Sequence, residues 1–199
     1  MAFPRFITPR LLLRPMVAED IHPLFALIYN DPMVRQFFTN LETWDAVAMV
    51  HQATVAANDD PANRGFGHWT VTERSSGTVL GKVLLEAPAP APWIVLDDRS
   101  PHAPVGMETE LAYALGRAFW GHGYAFEACQ ALLPHIFETL ALPRVMNSVR
   151  RANTASIRLM EKLGFQLESQ RERPEFVIGV LTQLTYADTA RTTVVSPSR

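Results

Sequence analysis

Residues 120–125 read Trp120-Gly121-His122-Gly123-Tyr124-Ala125. Before them lies Glu110-Leu111-Ala112-Tyr113-Ala114-Leu115, which reads as a strand, and after them a helical stretch to about Leu140. Two glycines between a strand and a helix let the backbone turn tightly and face its N–H groups outward with no Cβ in the way. The helix N-terminus directly behind adds unpaired donors and a partial positive charge, so the stretch can seat a phosphate or diphosphate. An ordinary strand-to-helix turn has the same spacing. No Gly-Lys-Ser/Thr follows, so this is not a P-loop, and a Gly-x-Gly-x-x-Gly fingerprint would need glycine where Phe126 stands. Glu127, in the first helical turn, reads as a complement to the helix dipole.

Downstream, Arg144 to Val149 reads as a strand and Asn153 to Leu163 as a helix. Asn153 is placed to cap that helix, Ser156 stands three residues on, and Gly164 stands where a left-handed residue would stop it. Phe165–Glu172 and Phe176–Tyr186 read as closing strands, and the polar tail 187–199, with Pro197, as loose. Pro134 falls inside the helical stretch and should kink or divide it.

Upstream, Arg10 to Arg14 reads as a strand stopped by Pro15, and Asp20 precedes a short helix carrying Leu24, Leu27 and Ile28. Thr43 to Ala57 reads as a second helix, with Trp44, Val47, Ala48 and His51 on neighbouring turns. His68–Arg74 and Val79–Leu85, joined by Ser75-Ser76-Gly77, read as a hairpin. Residues 87–106 open on Ala87-Pro88-Ala89-Pro90-Ala91-Pro92 and read as a surface excursion, stiff at its start, with a short Trp93–Leu96 strand. The order predicts an α/β fold: a mixed, largely antiparallel central sheet with helices on both faces, in a single domain over residues 1–186.

Composition excludes several classes. The 199 residues are 48% hydrophobic and 19% charged, enough apolar side chains for a sizeable core. Eighteen basic against twenty acidic residues give a net charge of −2, which offers no basic face for nucleic acid and no reason to expect a membrane-surface binder. One cysteine, Cys129, makes neither an internal disulfide nor a cysteine zinc site, and the six histidines show no metal-ligand spacing, so no metal is expected. No apolar run approaches the ~18 residues that cross a bilayer, and Met1 to Phe6 does not read as a secretory signal. A cytoplasmic location is expected.

The ordered set of motifs resembles the GNAT superfamily of N-acetyltransferases, and within it is similar to the RimJ/RimL-like branch. The resemblance runs through Thr8-Pro9-Arg10-Leu11-Leu12-Leu13-Arg14-Pro15, Asp20, Gly81, Glu110 to Tyr113, Trp120 to Ala128, Asn153-Thr154-Ala155-Ser156 and Glu161-Lys162-Leu163-Gly164-Phe165. It implies acetyl-coenzyme A as donor and a primary amine, on a small molecule or a peptide, as acceptor. It further implies that strands 110–115 and 144–149 splay apart and that the pantetheine arm lies along Leu111, Ala112 and Tyr113. Trp120, Gly121, His122, Gly123, Tyr124 and Ala125 would hold the diphosphate, with Asn153 reaching the coenzyme arm.

An alkyl ammonium has no lone pair, so a base must take its proton, and the departing thiolate gains from a nearby donor. Glu110 is the candidate base, with Glu108 its rival at the start of the same strand. Ser156 resembles the serine of the RimL-like branch and is the candidate donor to the thiolate. Many other members use a tyrosine one turn further along that helix, where this chain has Met160. Cys129 lies in an apolar stripe with Ala125, Leu132 and Ile136 and reads as core. Two other readings stay open: a coenzyme A-binding regulatory or scaffold protein without turnover, and a nucleotide-phosphate binder on an unrelated sheet. Tyr29, Phe37, Phe38 and Trp44 either line the acceptor site or belong to the core. A homodimer through the exposed edge of the last strands is a further expectation.

Overall fold

The computed structural model describes residues 3–38, 43–63, 65–92, 94–96, 100–103 and 106–194. In chain order the first elements are β1 (Phe6–Ile7), β2 (Leu11–Pro15), α1 (Ile21–Leu24), α2 (Pro32–Phe38), α3 (Trp44–Asp59), β3 (Gly67–Glu73) and β4 (Val79–Leu85). There follow β5 (Ala89–Pro90), β6 (Met107–Glu108), β7 (Leu111–Leu115), α4 (Tyr124–Pro134) and β8 (Arg144–Arg150). The chain ends with α5 (Thr154–Leu163), β9 (Gln166–Ser169), β10 (Phe176–Thr182) and α6 (Gln183–Val194). The chain packs as two compact units, Met1–Ala87 with Leu111–Leu132, and Pro88–Glu110 with Leu133–Arg199.

The first unit carries an antiparallel five-stranded sheet in the order β1-β2-β3-β4-β7. Successive strand residues point to opposite faces, and the register sorts them. Leu11, Leu13, Trp69, Val71, Val83 and Leu85 are buried, with Phe3 and Phe6 tilted against Trp69 at 4.8 and 5.6 Å between ring centres. Full burial of each such side chain contributes about 1.5–3 kcal/mol. Gly81 pairs with Leu115, and a Cβ there would stand 2.2 Å from the Ala114 carbonyl oxygen, so only glycine admits β7.

A polar row crosses the same sheet, because Arg14 pairs with Thr70, Thr70 with Lys82 and Lys82 with Ala114. Asp20 accepts from both Arg14 Nη atoms at 2.6 Å, from the Thr70 hydroxyl at 2.7 Å and from the Val17 amide at 3.0 Å. Burial works against its charge, yet the Arg14 fork and these donors hold its carboxyl below the usual carboxylate range. Lys82 Nζ donates to the Tyr29 hydroxyl at 2.9 Å, and burial pushes this lysine down to about 8. Met16, Leu24, Ile28, Tyr29, Val34, Val47 and Ala114 form an apolar cluster in this unit.

The second unit holds an antiparallel three-stranded sheet, β8-β10-β9, and the two-residue ladder β5–β6. Here the segment read as a surface excursion departs from expectation. Ala91, Ile94 and Leu96 are buried with Met146, Ile178 and Val180. The Val95 amide donates to Gln170 Oε1 and its carbonyl accepts from the Arg171 amide, both at 2.8 Å. Apolar residues between the prolines and Asp97 thus close a core. Ile94–Leu96 do so without strand pairing, and Trp93 lies outside the described residues.

The last expected strand is also corrected. Pairing stops at Thr182, and α6 begins at Gln183, running through residues that read as the end of a strand and the start of a loose tail. Thr182 Oγ1 accepts from the Thr185 amide at 3.2 Å, a helix cap. Tyr186 stacks on Phe137 at 4.8 Å and its hydroxyl donates to Glu138. Pro197 lies outside the described residues. Where Pro134 was expected to divide the helix, α4 ends and a wider π turn, His135–Thr139, follows. Among the described residues no helix is long and apolar enough to cross a membrane.

Candidate functional site

In the first unit, Trp120 anchors the loop by donating from Nε1 to the Leu115 carbonyl at 2.8 Å. Gly121 and Gly123 adopt φ of 76° and 77°, a region costly to residues with a Cβ, and a Cβ on Gly121 would meet nothing within 4 Å. Among the described residues, no hydrogen bond uses the N–H of Gly121, His122, Gly123 or Tyr124 as donor. The first turn of any helix leaves such donors without intrahelical partners. Tyr124 and Ala125 open α4 behind them. Leu111, Ala112 and Tyr113 lie on β7, the outer strand of the five-stranded sheet, opposite Leu85, Leu84 and Val83.

The loop has a brace that the sequence did not disclose. Arg10 Nη1 donates to the His122 carbonyl at 2.9 Å, and its guanidinium lies 4.5 Å from the centre of the Tyr124 ring. His122 stacks on Tyr124 at 5.8 Å, with Nδ1 2.8 Å from the Trp120 carbonyl. Glu127 does more than face the helix dipole. It accepts from the Thr8 hydroxyl at 2.5 Å, the Arg10 amide at 3.0 Å and Arg10 Nε at 2.7 Å. Partial burial opposes its charge, but Thr8 and Arg10 hold its carboxyl below the usual range. Thr8 and Arg10 belong to the motif quoted above, but no local pattern ties them to a residue 119 and 117 positions away.

In the second unit, the Thr109 carbonyl accepts from the Met146 amide at 2.8 Å, and Glu110 forms an isolated parallel bridge with Met146. Glu110 is half-buried, and its Oε1 accepts from the Ser148 amide at 3.2 Å. The rival carboxylate is differently placed: Glu108 is buried, and both its oxygens accept from Arg144, through Nε at 3.0 Å and through Nη2. Asn153 caps α5, its Oδ1 accepting from the Ser156 amide at 3.1 Å, and Gly164 ends the helix with φ 91°. Ser156 is half-buried in the first turn. Met160 is 1% exposed, and a Cβ on Gly179 would meet its sulfur at 2.6 Å, so it packs over β10. Cys129 is fully buried, and burial pushes its thiol up, as a core residue requires.

The aromatic candidates divide. Tyr29 is buried on Lys82, whereas Trp44 is 39% exposed and packs edge-on to Phe25 at 5.2 Å and beside His22 at 4.9 Å. Phe37 is half-buried, and the side chain of Phe38 lies outside the described residues.

Residues 10–166 match the family described as the acetyltransferase (GNAT) domain. The chain is 29% identical over 161 residues to the uncharacterized N-acetyltransferase p20 of Bacillus licheniformis, spanning 81% of this chain and 82% of that protein. It is 28% identical over 185 residues to the uncharacterized N-acetyltransferase YoaA of Bacillus subtilis strain 168, spanning 92% and 89%. The crystal structure of the acetyltransferase from Agrobacterium tumefaciens str. C58 shares the fold, with a TM-score of 0.69 at 24% identity over 91% of this chain and 95% of that one.

Proposed function

Because the chain belongs to the GNAT acetyltransferase family, we propose that it is a RimJ/RimL-like enzyme moving an acetyl group from acetyl-coenzyme A to a primary amine. The observation that carries the donor is the loop at 121–124, whose amides donate to nothing among the described residues while Gly121 leaves open space before it. Backbone N–H groups at a helix N-terminus suit a diphosphate. The donor supplies an activated thioester; the protein's part is to bind, orient and move protons.

Glu110 takes the proton of the amine as its nitrogen bonds the acyl carbon. The Ser148 amide orients that carboxylate. Glu108 is unsuited, since Arg144 occupies both its oxygens. As the carbon–sulfur bond breaks, Ser156 donates a hydrogen bond to the thiolate from the first turn of α5. Asn153 has its oxygen engaged in the cap, so its side-chain nitrogen is the atom left to meet the coenzyme arm.

One observation favours a second reading, coenzyme A binding without turnover: the position of the tyrosine used by many members is the buried Met160. The test is thioester consumption with purified protein and a panel of a peptide N-terminus, an aminoglycoside, a polyamine and an amino-acid derivative. Turnover on any of them supports the enzyme; coenzyme A binding with none supports the second reading. Tighter binding of ATP than of coenzyme A would overturn both.

A further inference from the structure

We propose that Arg10, locked by Glu127, is a positioning residue for the donor's diphosphate, an inference that rests on the donor reading above. A carboxylate in the first turn of α4 stands beside a seat for an anion and, left alone, would repel it. It is not left alone. Thr8 and Arg10 engage both its oxygens, and the pairing brings a guanidinium, its side chain 46% exposed, to the loop. The carboxylate's charge is thereby balanced beside the loop.

Arg10 also sets backbone direction. Its Nη1 holds the His122 carbonyl at 2.9 Å. Among the described residues there are no cis peptide bonds, and in a trans peptide the carbonyl and the following N–H point opposite ways. A fixed His122 carbonyl therefore fixes the Gly123 N–H, one of the four open donors. Arginine is required because one planar fork must serve Glu127 through Nε and Nη2 and His122 through Nη1, while its face lies over Tyr124. The seat is thus built from both ends of the first unit's sequence: the residues before β2, and the loop.

Equilibrium binding of coenzyme A, dephospho-coenzyme A and pantetheine to wild type, R10Q and E127Q tests this. R10Q should weaken both diphosphate ligands roughly tenfold, the scale of a charge-assisted hydrogen bond, and E127Q by about threefold. Pantetheine, which has no diphosphate, should bind all three proteins within about twofold. R10K keeps the charge without the fork and should recover only part of the loss. Equal affinity of wild type and both variants for coenzyme A overturns the proposal, and so does equal weakening of all three ligands, which would mark a purely structural pair. If R10Q does not fold, E127Q carries the same comparison. Wild type that binds coenzyme A no better than pantetheine would instead sink the donor reading itself.

Discussion

Helices α4 and α5 both begin on a turn that follows a strand, and their first turns are completed in opposite ways. At α5 the chain caps itself: Asn153 accepts from the Ser156 amide through its side chain and from the Ile157 amide through its carbonyl, each at 3.1 Å. At α4 the preceding residue is Gly123, which has no side chain to offer, and the acid of the first turn faces Thr8 and Arg10. A helix start satisfied by its own sequence needs no outside group, and Ser156, the proposed thiolate donor, stands in such a turn. One left open is a place for an anion. The proposed function puts donor binding and chemistry on different elements, and substitutions should separate them.

The largest separation is expected at Glu110. E110Q keeps the size of the side chain and removes the proposed base, so kcat should fall about a hundredfold, within the range of general-base contributions. Coenzyme A affinity should change by less than about twofold, because the proposed diphosphate seat is built elsewhere. Pre-steady-state acyl transfer and calorimetry read the two quantities separately. Equal losses in both would mean that the carboxylate helps hold the donor and that the division is false.

The contrast between satisfied and open polar groups extends to the interior. His51 is buried, with Nδ1 2.9 Å from the Val47 carbonyl and Nε2 without a partner among the described residues. Burial, with Lys82 beside it, pushes its pKa from 6.5 to about 4. The folded protein therefore binds fewer protons here than the unfolded chain, so this stabilisation is complete above 6.5 and is lost as pH falls toward about 4. The loss should be about 2 kcal/mol in urea melts across that interval. His68, lowered by burial, acts with the same sign. H51L should flatten the slope; an unchanged slope would assign the loss to other groups.

Next in size is the loop itself. G123A places a Cβ at φ 77°, which costs roughly 1–2 kcal/mol in the left-handed region, although the space is open except for Arg10 at 3.5 Å. Relaxing that strain turns the amides, so coenzyme A affinity should fall about tenfold with pantetheine unaffected. A variant that binds coenzyme A normally would show that φ at this position does not aim the donors.

The self-capped helix was also the readable one. Asn153 and Gly164 mark the ends of α5 as expected, because caps act over three or four residues. The glycine loop was legible for the same reason. What escaped were pairings set by topology: Arg10 with Glu127, Arg144 with Glu108, and Ile94 and Leu96 in a core with Ile178. No periodicity within a segment encodes a partner on a distant strand. The start of α6 was missed because Val177 to Leu181 continues an apolar run up to Thr182, and only Phe137 and Glu138, in the π turn after α4, show what Tyr186 is for. Glu108 and Glu110 looked equivalent until Arg144 took one of them.

The smallest effect is the one that decides what Asn153 does. As a cap alone, it should lose about 1 kcal/mol on substitution by Ala but only a few tenths on substitution by Gly. For a chain of this size, N153A should then melt roughly 2–4 °C lower and N153G close to wild type. If its side-chain nitrogen also meets the coenzyme arm, the two variants lose that contact alike. The expected result is that N153G recovers stability without recovering affinity, both variants binding coenzyme A about threefold more weakly, as the loss of one neutral hydrogen bond requires. Affinity that instead tracks the melting temperature would make Asn153 a cap and nothing more, and would leave donor recognition to the open end of α4.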